Sequence, residues 1–357
     1  MSAVLLAPLP EGPLDLIGDV HGEFEALMNL LALLGYDQQG RHPRQRRLVF
    51  VGDLCDRGPD SPAVVEWVRQ RHAEGNALVV LGNHELNLLR GQRKDGNDWF
   101  YGDVGSDGQR YMPFAMLAPE ARGEVMAFFD SLPVVLERPD LRVVHAAWHA
   151  ASVDRLRHQP GPVTTEYRRL DVAFRGNPDH QRLALEAGDQ RAEWAHRMRD
   201  PALAPPSLPT LARWDALRQM GNPIRVLTSG IEHPIGEPFF AGGSWRFVQR
   251  ASWWDTYRDP VAVVVGHYWR RAHAVSERGE ARYGPELFDG VPPLRWHGAC
   301  GQVFCVDYSV GGRFLERQMG RRPPYEGRLA ALRWPERSLF FDDGDTFPTE
   351  GYGGLRI

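Results

Sequence analysis

With 357 residues, 43% of them hydrophobic and 25% charged, the chain can bury a large core, as one elaborated domain or two small ones. A formal net charge of −4 with no obviously basic face argues against a nucleic-acid partner. No apolar run approaches the roughly 20 residues of a membrane span, and the short apolar stretch at Val4, Leu5 and Leu6 does not make a secretion signal. Cys55, Cys300 and Cys305 are an odd, irregularly spaced set. They suit a reducing cytoplasm, and strand packing rather than thiolate metal binding. The arginine clusters at 41–47 and 313–322 are expected to be solvated loops.

In chain order, Leu14-Asp15-Leu16-Ile17 predicts a buried strand, and residues 23–34 a helix with Leu27, Leu30, Leu31 and Leu34 at helical spacing, stopped by Gly35. Leu48-Val49-Phe50-Val51 predicts a second strand, followed by a helix introduced by Pro59 and Pro62 that carries Val64, Val65 and Val68. Leu78-Val79-Val80-Leu81 predicts a third strand, with a helix opening at His84. Three successive β-α units argue for a parallel sheet whose strands end at one shared edge, facing one crevice. A loop over 91–113 with Trp99, Phe100 and Tyr101 is placed beside that crevice. Residues 134–144 predict a hairpin turning at Pro139-Asp140, whose second strand delivers His145. Region 150–260 reads as a partly helical insertion covering the site, with helices over 179–199 and 211–220, within a single domain spanning 1–357. The strand 261–265 returns to the sheet and presents His267, and strand signals at 302–306 and 339–341 suggest a second sheet.

Five blocks with oxygen or imidazole ligands each follow such an apolar run: Gly18-Asp19-Val20-His21-Gly22, Gly52-Asp53-Leu54-Cys55-Asp56-Arg57-Gly58, Gly82-Asn83-His84-Glu85, then His145 and His267. Asp19 and His21 can hold one divalent ion, Asp53 can bridge two, and Asn83, His145 and His267 complete the second. His84 is then free to act as general acid and Asp56 to orient it, while Arg57, with Asn83 and His84, can bind phosphate oxygens. Taken singly, an Asp-x-His is a turn device, Gly-Asn-His-Glu a helix start and Arg57 a surface ion pair. Five such blocks in order, each after a strand, favour the dinuclear metal site. His149, His233 and His273 are expected to lie behind or away from it, and Trp148, Trp253, Trp254 and Trp269 to be core or crevice wall. Arg225, Arg246 and Arg250 are candidates for a second phosphate clamp.

Gly-Asp-x-His-Gly, Gly-Asp-x-x-Asp-Arg-Gly and Gly-Asn-His-Glu, uninterrupted at 18–22, 52–58 and 82–85, make the chain resemble the calcineurin-like metallophosphoesterases. The resemblance is to the branch with serine/threonine phosphoprotein phosphatases and diadenosine tetraphosphatase-like enzymes. It implies an α/β fold, a four-layer α/β/β/α sandwich, with Asp19, His21, Asp53, Asn83, His145 and His267 as metal ligands, Arg57 on phosphate, and His84 with Asp56 on the leaving group. It also implies phosphoester hydrolysis by a hydroxide held on two divalent ions, Mn2+ being favoured with Fe, Zn2+ and Ni2+ as alternatives. Ala146 and Ala147 stand where the eukaryotic protein phosphatases have two glycines, and Tyr268 and Trp269 follow the last histidine where they have a small residue. Region 150–260 has no counterpart.

The resulting expectation is a cytoplasmic phosphatase acting on phosphomonoesters, phosphoserine and phosphothreonine in proteins first. The alternative is a diadenosine polyphosphate or other nucleotide pyrophosphohydrolase, with aromatics of 99–101 or Trp253 and Trp254 stacking adenine. A non-catalytic binding module on the same fold would have lost a ligand or His84, and none is lost. Oligomeric state is left open.

Overall fold

The computed structural model describes residues 4–94, 96–105, 108–241, 243–272 and 287–354. Strands β1 (Leu6–Pro8), β5 (Val135–Arg138), β6 (Leu141–Val144), β9 (Ala262–Val265) and β10 (Val303–Cys305) form a five-stranded sheet in the order β1-β5-β6-β9-β10. Strands β2 (Leu14–Ile17), β3 (Arg47–Phe50), β4 (Ala77–Val79), β11 (Ala330–Trp334), β12 (Ser338–Phe341) and β13 (Thr346–Pro348) form a six-stranded sheet, ordered β13-β12-β11-β2-β3-β4. As the β-α repeat predicts, β2, β3 and β4 run parallel, with Ile17 in register with Phe50 and Phe50 with Val79.

Side-chain alternation along these strands explains the layering. Leu14, Leu16, Val49 and Val51 of one sheet share a buried cluster with Leu141, Val143, Ala262, Val264 and Phe304 of the other, so the two sheets pack face to face. The alternate residues point outwards. Ile17, Leu48 and Phe50 pack with Leu27, Leu30 and Leu31 of α1 (Phe24–Leu34) and Val64, Val65 and Val68 of α2 (Ser61–Ala73). The cluster that holds Val144, Val263 and Val265 also holds Val153, Leu156, Ile224 and Leu227 of two later helices. The result is the expected α/β/β/α sandwich.

The helices that follow are α3 (Asn83–Leu89), α4 (Asp98–Tyr101), α5 (Arg122–Ser131), α6 (Ala150–Leu156), α7 (Val163–Arg175), α8 (Pro178–Glu193), α9 (Pro209–Met220), α10 (Pro223–Ser229) and α11 (Arg313–Gln318). A hairpin of β7 (Glu232–Ala241) and β8 (Ser244–Arg250) completes region 150–260. Ala187, Leu208, Leu211, Ala212 and Phe247 make a small separate core for α8, α9 and the hairpin, whereas α6 and α10 join the main core.

Some expectations change. The strand signals at 302–306 and 339–341 fall in different sheets, β10 beside β9 and β12 between β11 and β13. Arg46 and Arg313 are buried rather than solvated: Arg46 donates to the buried Asp15 and to Glu336, and Arg313 to Asp342. Cys300 is exposed, so of the expected pair only Cys305 packs in a strand. No helix is long and apolar enough to cross a membrane among the described residues.

Candidate active site

The loops after β2, β3 and β4 and those after β6 and β9 converge where the two sheets meet. Asp19, His21, Asp53, His84, His145 and His267 are all buried together there. Six residues in these loops, His21, Asp53, Asp56, Arg57, His267 and Trp269, have φ between 46° and 75°. Non-glycine residues avoid that left-handed region, and such strain persists only where surrounding structure over-determines it. Gly52 permits a close approach: at φ 100°, a Cβ there would lie 2.7 Å from the Gly82 nitrogen and 2.9 Å from His145 Nδ1.

Hydrogen bonds to the backbone aim the imidazoles. His21 donates from Nδ1 to the Cys55 carbonyl (3.0 Å) and His145 from Nδ1 to the Val51 carbonyl (2.7 Å), turning both Nε2 atoms inwards. His21 Nε2 faces Asp53 Oδ2 at 3.7 Å and Asp19 Oδ2 at 3.9 Å, and His145 Nε2 faces Asp53 Oδ1 at 3.3 Å. His84 Nε2 lies 3.8 Å from Asp53 Oδ2. Two close-set groups result, His21 with Asp53 and His84, and Asp53 with His145 and His267, sharing Asp53. Asp19 stands further out and accepts the His267 backbone N–H at 3.1 Å.

The polar groups of this centre are incompletely paired. His145 gives its Nδ1–H to Val51 and turns Nε2 to Asn83 Oδ1 at 3.1 Å and Asp53 Oδ1 at 3.3 Å; burial disfavours its charge, but Asp53 outweighs burial and raises the imidazole above its ordinary range. His267 Nδ1 lies 2.8 Å from the same Asn83 oxygen, while its buried Nε2 has no hydrogen-bond partner among the described residues. Burial and the neighbouring Asp307 and Asp53 push the Asp19 carboxyl well above its ordinary range, a crowding of acidic groups that a divalent cation would relieve. Donors on one ion with metal–ligand distances of ~2.1 Å lie roughly 3–3.5 Å apart, close to the 3.3–3.9 Å measured here. The residues therefore fit a pair of divalent ions, and nitrogen and carboxylate donors without thiolate match the range expected from sequence. Burial pushes His21 and His267 well below the usual imidazole range, holding them neutral as metal ligands must be. Burial also opposes charge on Asp53, but the facing His145 and His84 outweigh it and keep the carboxyl well below its ordinary range.

His84 donates from Nδ1 to Asp56 Oδ2 at 2.5 Å, and Trp99 Nε1 donates to Asp56 Oδ1 at 2.6 Å. The orienting carboxylate expected from sequence is thus itself held. Trp99, fully buried in this role, is not available to stack a base; neither are the buried Trp253 and Trp254. Arg57 reaches His21 Nε2 at 3.0 Å, and its guanidinium lies 4.8 Å from the centre of the half-buried Trp269 ring.

Of the arginines considered for a second clamp, Arg225 turns to the Arg218 carbonyl and Tyr167 hydroxyl, and Arg246 to the Ala241 carbonyl. Arg250 alone approaches, its charge helping to depress His267. His149 pairs with Ser152 Oγ, His233 is exposed, and His273 lies outside the described residues.

Three supporting groups escaped the sequence reading. Glu85 accepts the backbone N–H groups of Asp53, Leu54 and Gly82 at 2.8–3.0 Å and so clamps two motif loops together. Its place inside Gly-Asn-His-Glu was the available signal. Asp307 accepts from the Trp269 and Ser309 backbones, and Gly311 lies against His21; nothing in the local sequence marks either. A Cβ on Gly311 would come within 2.3 Å of His21 Cδ2. Gly311→Ala is therefore expected to displace the His21 ring and weaken metal retention by ~10–100-fold, with circular dichroism unchanged and the loss read by elemental analysis after gel filtration.

Comparison with known proteins adds the following. Residues 12–179 match the profile of the calcineurin-like phosphoesterases. The asymmetrical bis(5'-nucleosyl)-tetraphosphatase PrpE of Oceanobacillus iheyensis is 46% identical over 80 residues, 22% of this chain and 32% of that protein. The protein of the same name from Bacillus velezensis is 31% identical over 150 residues, 40% of this chain and 59% of that one. The chain thus spans about a third to three fifths of the length of these curated relatives. A solved cold-active protein-tyrosine phosphatase of a Shewanella species aligns with 98% of this chain and 83% of its own at 15% identity, with a TM-score of 0.44.

Proposed function

Because residues 12–179 belong to the calcineurin-like phosphoesterase family, we propose that this chain is a metal-dependent phosphoric ester hydrolase whose substrate is a nucleoside polyphosphate cleaved at a phosphoanhydride. The reaction class is carried by one observation: Asp53 stands between two groups of imidazoles, His21 with His84 and His145 with His267, each group gathered within 4.8 Å about its carboxylate. The substrate is supported by the relatives named bis(5'-nucleosyl)-tetraphosphatase, which match the stretch bearing the motif loops. Phosphoproteins, first in the expectation from sequence, have no comparable support among those relatives. Retention of every candidate ligand and of His84 weighs against a binding module without catalysis.

Two divalent ions held by Asp19, His21, Asp53, Asn83, His145 and His267, Mn2+ favoured, would polarise the phosphoryl oxygens and supply a nucleophile at neutral pH. Arg57 presents a planar fork to the phosphoryl oxygens, its position fixed by His21 and the Trp269 ring. Asp56, gripped by Trp99, holds the His84 Nδ1 proton and leaves Nε2 facing the reacting group, where it can protonate the departing oxygen.

Chelator-treated protein is expected to be inactive and to regain activity with Mn2+. On the metal-loaded protein, kcat/KM for diadenosine tetraphosphate should exceed that for phosphoserine peptides by at least about a hundredfold, ~2.7 kcal/mol of differential transition-state binding. A preference of similar size for the peptides would restore the phosphoprotein reading. No turnover of either, with metal bound, would remove both.

A further inference from the structure

Between α3, with its Leu86, Leu88 and Leu89, and α7 lies an open cavity of about 660 Å³. That volume falls within the range of small-molecule sites, roughly 300–1,000 Å³. Its walls combine aromatic and cationic side chains: Phe100, Tyr101 and Tyr167, with Arg90, Arg168 and Arg175.

The charges there are poorly matched. Asp171 is the acidic residue of the lining; it pairs with Arg175 at 2.7 Å and stands 3.9 Å from Arg225, which also donates to the Tyr167 hydroxyl. Arg90 has no hydrogen bond or ion pair among the described residues, only the face of the Tyr167 ring 4.7 Å from its guanidinium. Burial, with Arg225 and Arg175 nearby, disfavours its charge, although Tyr167 and Asp171 oppose the shift. Arg168 is likewise without an acidic partner among the described residues and is exposed at the mouth. Three guanidinium groups line the cavity against one carboxylate, an excess of planar donors that anionic oxygens satisfy best. Phe100 and Tyr167 are buried in the wall, and the half-buried Tyr101 offers π surface to a flat ring.

We infer that this cavity is a second ligand site, separate from the metal centre, for a nucleotide: phosphate oxygens on Arg90, Arg168 and Arg175, and the base against the half-buried Tyr101. An occupant touches the segment whose Trp99 holds Asp56, so the site lies one residue from the leaving-group machinery. The inference stands on the cavity itself and does not require that a nucleotide be the substrate.

The test is calorimetric titration of the metal-loaded full chain with a methylene-bridged, non-hydrolysable ATP analogue, with tripolyphosphate and adenosine as separate arms. Arg90→Gln is expected to weaken one nucleotide-binding event by ~10–100-fold, as removal of a charge-assisted contact does. Arg168→Gln, an exposed change that leaves packing alone, should weaken the same event, with turnover of an aryl phosphate unaltered in both variants. Nucleotide binding unchanged in Arg168→Gln and in a folded Arg90→Gln would overturn the inference, as would absence of any nucleotide binding. Should Arg90→Gln fail to fold, Arg168→Gln decides alone. Tripolyphosphate binding as tightly as the nucleotide would overturn the assignment of a base-bearing ligand.

Discussion

Asp53→Asn should cost more activity than any other single change, well beyond the ~10–100-fold typical of removing an outer partner of a metal site. Both carboxylate oxygens face imidazole nitrogens on opposite sides, so losing the charge affects both halves of the site at once. The fold should survive. Asp53 Oδ1 accepts the His84 backbone N–H at 3.0 Å, and an asparagine oxygen can do the same. The check is metal content together with kcat: a folded Asp53→Asn protein that keeps two equivalents of metal and full turnover is incompatible with a bridging role.

His84→Asn should lower kcat by ~10²–10⁴ for alkyl phosphate esters, the span expected for a general acid. The drop should be much smaller for a chromogenic aryl phosphate, whose leaving group departs without a proton. Geometry alone would also let His84 Nε2 serve as a ligand beside His21 and Asp53. The leaving-group series separates the roles: loss of a ligand depresses all substrates together, whereas loss of an acid scales with leaving-group basicity. Asp56→Asn should act through the same ring, so adding it to His84→Asn should cost little more.

The part of this site visible in the sequence is the part built from unusual residue types after apolar strands. Asp19, His21, Asp53, Asn83, His145 and His267 could each be named because a strand end fixes where the next two residues go, and parallel strands fix which edge they share. The supporting residues were hidden because their partners are remote. Trp99 reads as one aromatic in a loop until Asp56, 43 residues earlier, is placed beside its indole N–H. Gly311 is unremarkable until His21 lies against it. Among the elements, β11 was missed because Ala330 and Ala331 dilute its apolar signal, although it pairs with β2 beside the first motif. In region 150–260 helical periodicity was legible, but not that α6 and α10 join the main core: Ala146 donates its backbone N–H to the Leu227 carbonyl of α10, a contact that only tertiary structure supplies.

The inter-sheet cluster has a bearing beyond stability. Asp19, Asp53 and Asn83 are mounted on one sheet and His145 and His267 on the other, so the thickness of the hydrocarbon between them acts as a gauge for the catalytic span. Interiors this dense transmit a change of one methylene rather than absorbing it. Val49 and Val264, buried between the sheets, are thereby set to govern the spacing of the two halves of the site, and tolerance to mutation should be narrowest in these most ordinary-looking residues.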